Sequence, residues 1–385
     1  MKPSLLPIVS RSPLPLPSPL PLPAPFGHRQ APRAAAGWIG KLFLLLLVLI
    51  AVAGAVAWTD YQRFVVAPLA LDQPRVFNVQ AGDSFRTVVE RLADDGLTPS
   101  WRESWWLTLA WQTDTLRRLQ VGEYSLQPGL GPTDLLQLLA SGRVIQHRFT
   151  IVEGWTFSQL RQALATAEPL AQTLADQSDA QIMAALGAAD QHPEGWFLPE
   201  TYAYTRGTPD LAMLRRAHQA MQQELAATWQ QRSPATAVDS AEQLLILASI
   251  IEKETGKPSE RRQIAGVFSR RLAIGMRLQT DPTVIYGLGS AFDGNLRRND
   301  LRTDTPYNTY TRAGLPPTPI ALPGRAALRA AADPADGNTL YFVSRGDGSH
   351  HFSPNYDEHR RAVQRYQIEP ARQRRAAQQS ENGND

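Results

Sequence analysis

From Leu42 to Ala57 the chain carries no polar side chain at all, and this run limits its architecture more than any other feature. Trp38 and Trp58 bracket it as interfacial anchors would. From one tryptophan to the other, with Lys41 snorkelling, the length is roughly the 20 residues a bilayer requires. Arg29, Arg33 and Lys41 precede the run, and Asp60 and Arg63 are the nearest charges after it. That bias places the N-terminus in the cytoplasm and everything beyond Trp58 outside. Ala55-Val56-Ala57 also has the form of a signal-peptide cleavage site. The run is longer than the usual apolar region of a signal peptide, however, and a long tail precedes it. An uncleaved single-pass anchor over residues 38–58 is therefore the expectation, and either reading exports the rest of the chain.

Residues 1–37 include the alternating Pro and Leu stretch from Ser12 to Pro25. Each proline fixes φ and lacks a donor, so the segment reads as an extended, disordered tail. The 385 residues leave room for two folded domains, and 43% apolar content suffices for a core. A net charge of +3 without a basic stripe in the central region argues against a nucleic-acid partner. Cysteine is absent, which excludes disulfides, thiolate metal sites and a cysteine nucleophile.

Beyond Arg75 the pattern turns globular. Val76–Val79 alternates like a strand, Gly82-Asp83-Ser84 caps a helix carrying Val88, Val89 and Leu92, and Glu103–Trp111 is amphipathic. A strand over Gly122–Leu126 and a helix from Thr133 come next. From Ile151 a second unit begins, with a helix through Leu160 and Leu164, an aromatic loop at Glu194–Tyr202 and a helix over Pro209–Gln230. Leu340–Val343 and His350–Ser353 read as a β-hairpin through Gly346-Asp347-Gly348.

The chemistry concentrates in Ser240–Gly256. Ser240 and Gln243 fit a capping box, Gly256 fits a C-terminal stop, and the interior is apolar nearly all round, which describes a buried helix. Its last turn nevertheless carries Glu252 and Glu254. At three- and four-residue spacing Glu254 neighbours Ile250 and Ile251, while Glu252 neighbours Ala248 and Ser249. Glu254 should thus feel the greater desolvation, and the helix C-terminus also disfavours negative charge. A carboxyl that keeps its proton at neutral pH suits a general acid. The alternative is a pair of surface carboxylates at a fraying end, salt-bridged to Lys253 or an arginine; spacing alone leaves both open. Pro282 should force Asp281 into an extended conformation, leaving Gln279, Thr280 and Asp281 on a loop. Tyr307-Asn308-Thr309-Tyr310 and Gly314–Ile320 form a second polar and aromatic loop, suited to a sugar or to turn chemistry alone. His350, His351 and His359 lack any metal-binding spacing, and no nucleophile elbow or phosphate loop occurs. No metal or cofactor is expected.

Taken together, Ala248–Thr255, Met276–Gly287, Tyr307–Tyr310, Gly314–Pro317 with Pro319-Ile320, Glu194–Tyr202 and Gly348–His350 resemble the MltG-type endolytic murein transglycosylases, the YceG-like family. The resemblance implies an α+β protein with a single N-terminal transmembrane helix, a small LysM-like subdomain and a mixed α/β catalytic domain. The corresponding divisions are 59–148 for the linker and LysM-like unit, 149–370 for the catalytic domain and 371–385 for a disordered polar tail. It makes Glu254 the catalytic acid that cleaves the MurNAc–GlcNAc bond and leaves 1,6-anhydro-MurNAc ends, limiting strand elongation. Gln279, Asp281, Tyr307, Asn308 and Tyr310 become candidates for holding the sugar, and Glu252 a supporting or structural group. Implied partners are peptidoglycan glycan strands and the peptidoglycan synthases (penicillin-binding proteins) of the same inner membrane, with the catalytic domain periplasmic. Two departures stand out: the proline-rich tail, and Thr318 where the family often has glycine. Competing readings are a lysozyme-like hydrolase using Asp281 or Glu260 as second carboxylate, and a non-enzymatic glycan-binding scaffold.

Overall fold

The computed structural model describes residues 34–373 and 378, which fall into two compact units divided after Ala67. The proline-rich tail lies outside the described residues up to position 33. The first unit holds one helix, α1 (Ala34–Val66). Within Gly40–Val66 the most apolar 18-residue stretch has a mean hydropathy of 2.7, and Leu42 to Ile50 are exposed on every side. A helix apolar all round is long enough and greasy enough to cross a bilayer. It outruns the expected 38–58 at both ends. Ala34, Ala35 and Ala36 are strong helix formers that extend its start into the expected tail, and nothing breaks it after Trp58 until Pro68.

The second unit begins with β1 (Arg75–Val79), α2 (Phe85–Asp94), α3 (Glu103–Gln112), β2 (Gly122–Leu126) and α4 (Pro132–Ser141). β1 and β2 pair antiparallel with Phe77 opposite Tyr124. Ser84 caps α2 by accepting from Thr87 N, and Asp83 braces the same turn through Arg91 at 2.7 Å. Phe77, Leu92, Trp106, Tyr124 and Leu136 are all buried. Glu123 of β2 ties these elements to later segments of the chain, bridging His147 at 2.6 Å and Arg206 at 2.5 Å.

Next come β3 (His147–Thr150), α5 (Phe157–Ala165), α6 (Asp179–Ala185), β4 (Thr201–Tyr204) and α7 (Asp210–Gln230). β3 pairs antiparallel with β4, and Phe157, Leu160, Phe197 and Leu214 make the core beneath them. The chain then forms α8 (Ala241–Glu254), α9 (Arg261–Ala273), α10 (Asp281–Leu288) and α11 (Arg325–Ala332). A second core gathers around α8, which packs on α7, α9, α10 and α11. The β5 (Tyr341–Ser344) and β6 (His350–Ser353) hairpin and α12 (Tyr356–Val363) close the fold. Helical backbone still covers residues 371–373, the start of the expected polar tail.

Candidate active site

α8 explains why two carboxyls can sit at the edge of a core. Ser240 Oγ accepts from Gln243 N, but the Gln243 side chain accepts from Asp239 N at 2.8 Å rather than closing a box on Ser240. Leu244 through Ile251 are then buried without interruption, so neighbouring helices cover every face. The stop comes before Gly256: Thr255 turns extended, at φ −146° and ψ 130°. The last turn therefore ends at Glu254, against the wall of a cavity of about 430 Å³.

Glu254 Oε1 accepts a hydrogen bond from Thr280 Oγ1. Burial raises its carboxyl pKa; the Asp281 charge pushes the same way, while the Thr280 bond, His350 and Arg271 pull back. The net shift is upward, so the proton is held more firmly than on a free glutamate. Gln279 and Asp281 line the same cavity. Asp281 is not on a loop as expected: Thr280 takes the extended conformation (φ −116°, ψ 125°), and Asp281 starts α10 with Pro282 behind it. Proline is favoured in a first helical turn because no donor is needed there. Gln279 has φ +49°, a left-handed backbone that is uncommon for a non-glycine residue and costly to hold. Its N–H donates to Thr309 O at 3.1 Å, and Thr280 N donates to Thr309 Oγ1 at 3.1 Å. These bonds fasten the segment to the 307–310 loop.

From that loop, Tyr310 reaches the cavity and donates to Asp281 Oδ1 at 2.5 Å. Burial, then this bond and the Asp281 charge, push its hydroxyl pKa up, so it stays a donor. Asn308 is wholly buried instead. Its amide donates to the carbonyls of Asp300, Leu301 and Thr303 at 3.1, 3.3 and 2.6 Å, and its Oδ1 accepts from Tyr310 N at 2.9 Å. It shapes the loop that presents Tyr310. Tyr307 shares a hydrogen bond of 2.8 Å with Thr318 and stands edge-on to Tyr286. Thr318, the departure from glycine, thus has a partner.

Glu252 faces elsewhere. Its Oε2 accepts from Gly324 N at 2.9 Å and its Oε1 lies 3.5 Å from Arg261. Burial raises this carboxyl too, with the Gly324 bond and Arg261 opposing and Glu153 adding to the rise. Its side chain is only 5% exposed, so desolvation alone does not single out Glu254. The surroundings do: Glu252 fastens the segment before α11, and Glu254 looks into the cavity.

One wall, Arg271, was absent from the sequence reading, and two histidines weighed there only as metal ligands join it. Arg271 is buried on α9, donates to the Leu340 and Leu278 carbonyls at 2.6 Å each, and lies 5.2 Å over Tyr341. Its acceptors are all neutral carbonyls, and among the described residues no direct salt bridge compensates its positive charge beside Glu254. His350 and His359 enter from the hairpin and α12. A larger groove of about 610 Å³ lies between α7, α9 and α11, but its charges are spent on one another, as in Arg262–Asp333 at 2.9 Å. Among the described residues no three His, Asp or Glu groups converge as a metal site would require.

A sequence model of the YceG-like family matches residues 77–365. The chain belongs to the YceG-like family. Relatives include a Bacillus subtilis (strain 168) protein named endolytic murein transglycosylase, 32% identical over 264 residues, covering 64% of this chain and 73% of the relative. A Streptococcus pneumoniae serotype 2 protein of the same name is 28% identical over 279 residues, covering 64% of this chain and 50% of the relative. A crystal structure of a YceG-like protein from Listeria monocytogenes aligns with 76% of this chain and 99% of its own, at 28% identity and a TM-score of 0.48. The span matched to the YceG-like family runs from β1 past α12 and contains Glu254, Arg271, Gln279, Asp281, Tyr310 and His350.

Proposed function

We propose that this protein is an endolytic lytic transglycosylase of peptidoglycan, with Glu254 as its acid. The observation that carries the reading is a carboxyl with a raised pKa, held by Thr280 at the end of a buried helix and facing a polar cavity. Protonated Glu254 donates to the oxygen linking N-acetylmuramic acid to N-acetylglucosamine, and the C1–O bond breaks. The muramoyl C6 hydroxyl closes on C1 and loses its proton to the resulting carboxylate, giving a 1,6-anhydro end without consuming water. One glutamate then suffices where hydrolytic glycosidases use two carboxylates. Asp281, steadied by Tyr310, faces the positive charge that develops at C1, and Gln279 holds a sugar hydroxyl or acetamido group. Tyr307, Asn308 and Glu252 act through the loops they fasten.

The rest of the chain fits this role. α1 anchors the enzyme in the inner membrane with its N-terminus cytoplasmic, and the β1–α2–α3–β2 unit serves as a LysM-like glycan holder. Cutting strands as they are made limits their length and suits partnership with penicillin-binding synthases. Asp281 in the same cavity as Glu254 also permits a hydrolase, which would leave hydrated reducing ends. Mass spectrometry of ends released from peptidoglycan separates the two: ends lighter by one water support the lytic reaction, and hydrated ends overturn it. Glycan binding without cleavage by the folded protein would leave a scaffold.

A further inference from the structure

The last helical stretch supplies a wall of the cavity that holds Glu254. Tyr356, His359 and Val363 of α12 line it, and so does Gln367 from the π-helical turn (Gln364–Ile368) that continues the helix. Residues three and four apart share a face, which is why these four come together. Burial lowers the His359 pKa and the Arg271 charge adds to the fall, so its ring stays neutral and the wall carries no charge. Tyr341 of β5 lines the cavity beside them but is already engaged: His359 stacks on it at 5.1 Å and 22°, and the Arg271 guanidinium lies 5.2 Å over it. Tyr356 leans on Tyr341 at 6.0 Å and on His359 at 6.5 Å, yet it is 63% exposed. It is a braced ring with an open face. Gln367 is exposed as well, and among the described residues no hydrogen bond holds its amide.

We propose that Tyr356 and Gln367 form an outer sugar subsite of the Glu254 cavity, which takes an uncharged N-acetylhexosamine of the same glycan strand beyond the bond being cut. The inference rests on the glycan-cleaving reading above and adds where the strand runs. The C–H groups on one face of a pyranose ring are apolar and slightly positive, which suits the negative face of the Tyr356 ring. An amide that both donates and accepts matches the acetamido group, which does the same. The carboxylates of a stem peptide would call for a cation, and this wall offers none. A grip on a sugar away from the reacting bond gives the interior of a strand a contact that a strand end lacks, which favours cutting within strands.

The test uses the full-length chain in detergent and purified glycan fragments of increasing length, with and without stem peptides. Wild type, Tyr356→Ala, Tyr356→Phe and Gln367→Ala are compared for kcat/KM, where remote contacts show. One aromatic contact is worth roughly 2- to 12-fold. The ratio of wild-type to Tyr356→Ala kcat/KM should rise by that factor once fragments are long enough to reach the ring, whether or not stems are attached. Tyr356→Phe keeps the ring face and should retain most of the wild-type length dependence, and Gln367→Ala should show a smaller rise at the same length. A ring needed only for folding would lower every fragment evenly. A ratio that stays flat with length overturns the proposal, as does a rise confined to stem-bearing fragments. If Tyr356→Ala fails to fold, the Gln367→Ala ratio decides. Hydrated ends from wild type would sink the lytic chemistry alone, since the length series still decides the subsite.

Discussion

Replacing Ser249 with alanine should loosen the loop that leads into α11. Ser249 is wholly buried in α8; its Oγ donates to Ile246 O at 2.7 Å and accepts from Ile320 N at 3.0 Å. In Ser249→Ala the Ile246 carbonyl keeps its helical partner one turn on. The Ile320 N–H does not: Ile320 is 2% exposed, and the hydroxyl that received its hydrogen is gone. A buried donor left without a partner costs about 1–3 kcal/mol. For a cooperative unit of roughly 150–250 residues each kcal/mol lowers the midpoint by 2–4 °C, giving a fall of roughly 2–12 °C. Thermal unfolding followed by tryptophan fluorescence reads it directly. A midpoint within a degree of wild type would refute the claim that Ser249 fastens Ile320 to the helix bearing Glu254.

Thr280→Val removes the hydrogen bond that favours ionised Glu254, so its alkaline activity limb should move to higher pH, whereas Asp281→Asn removes a charge that favours the neutral acid and should move the limb to lower pH; rate profiles of both variants check the opposed signs. Buried Glu194, which accepts from Phe157 N and Tyr286, is raised by burial from 4.5 to about 7. The stability its neutral form supplies is present in full below 4.5 and is lost as pH rises through about 7, so wild-type thermal midpoints should fall across that window relative to Glu194→Gln. Gly195→Ala should destabilise by at least about 1–2 kcal/mol, since φ is +86° and the new Cβ would lie 2.5 Å from Pro319 Cβ; urea unfolding measures it.

Local rules carried the sequence reading furthest where a signal was local. Ser84 does cap α2, the uninterrupted apolar run of α8 is buried, and the Gly346–Gly348 turn does join a hairpin. Boundaries were harder, because α1 obeys the absence of breakers as far as Pro68 and not the tryptophan belt. At the cavity, the residues near Glu254 in sequence or motif were legible, but their division of labour was not. Asn308 and Tyr310 lie two apart in one loop, yet one is spent on carbonyls and the other donates to Asp281. Arg271 escaped because nothing near it in sequence marks it, and His350, though within a family motif, was weighed only as a metal ligand. An arginine in a basic helix and a histidine in a hairpin acquire meaning only when α9 and β6 pack around the end of α8. Glu260 looked like a free second carboxylate until its two oxygens were found on His350.

The central claim concerns one carboxyl and one product, so the most direct measurement is mass spectrometry of glycan ends released by wild type, Glu254→Gln and Glu252→Gln. The account predicts 1,6-anhydro muramic acid from wild type, none from Glu254→Gln, and the anhydro product still formed by Glu252→Gln, whose glutamine can keep the bond to Gly324. Hydrated ends from wild type, or anhydro ends persisting in Glu254→Gln and lost in Glu252→Gln, would contradict it.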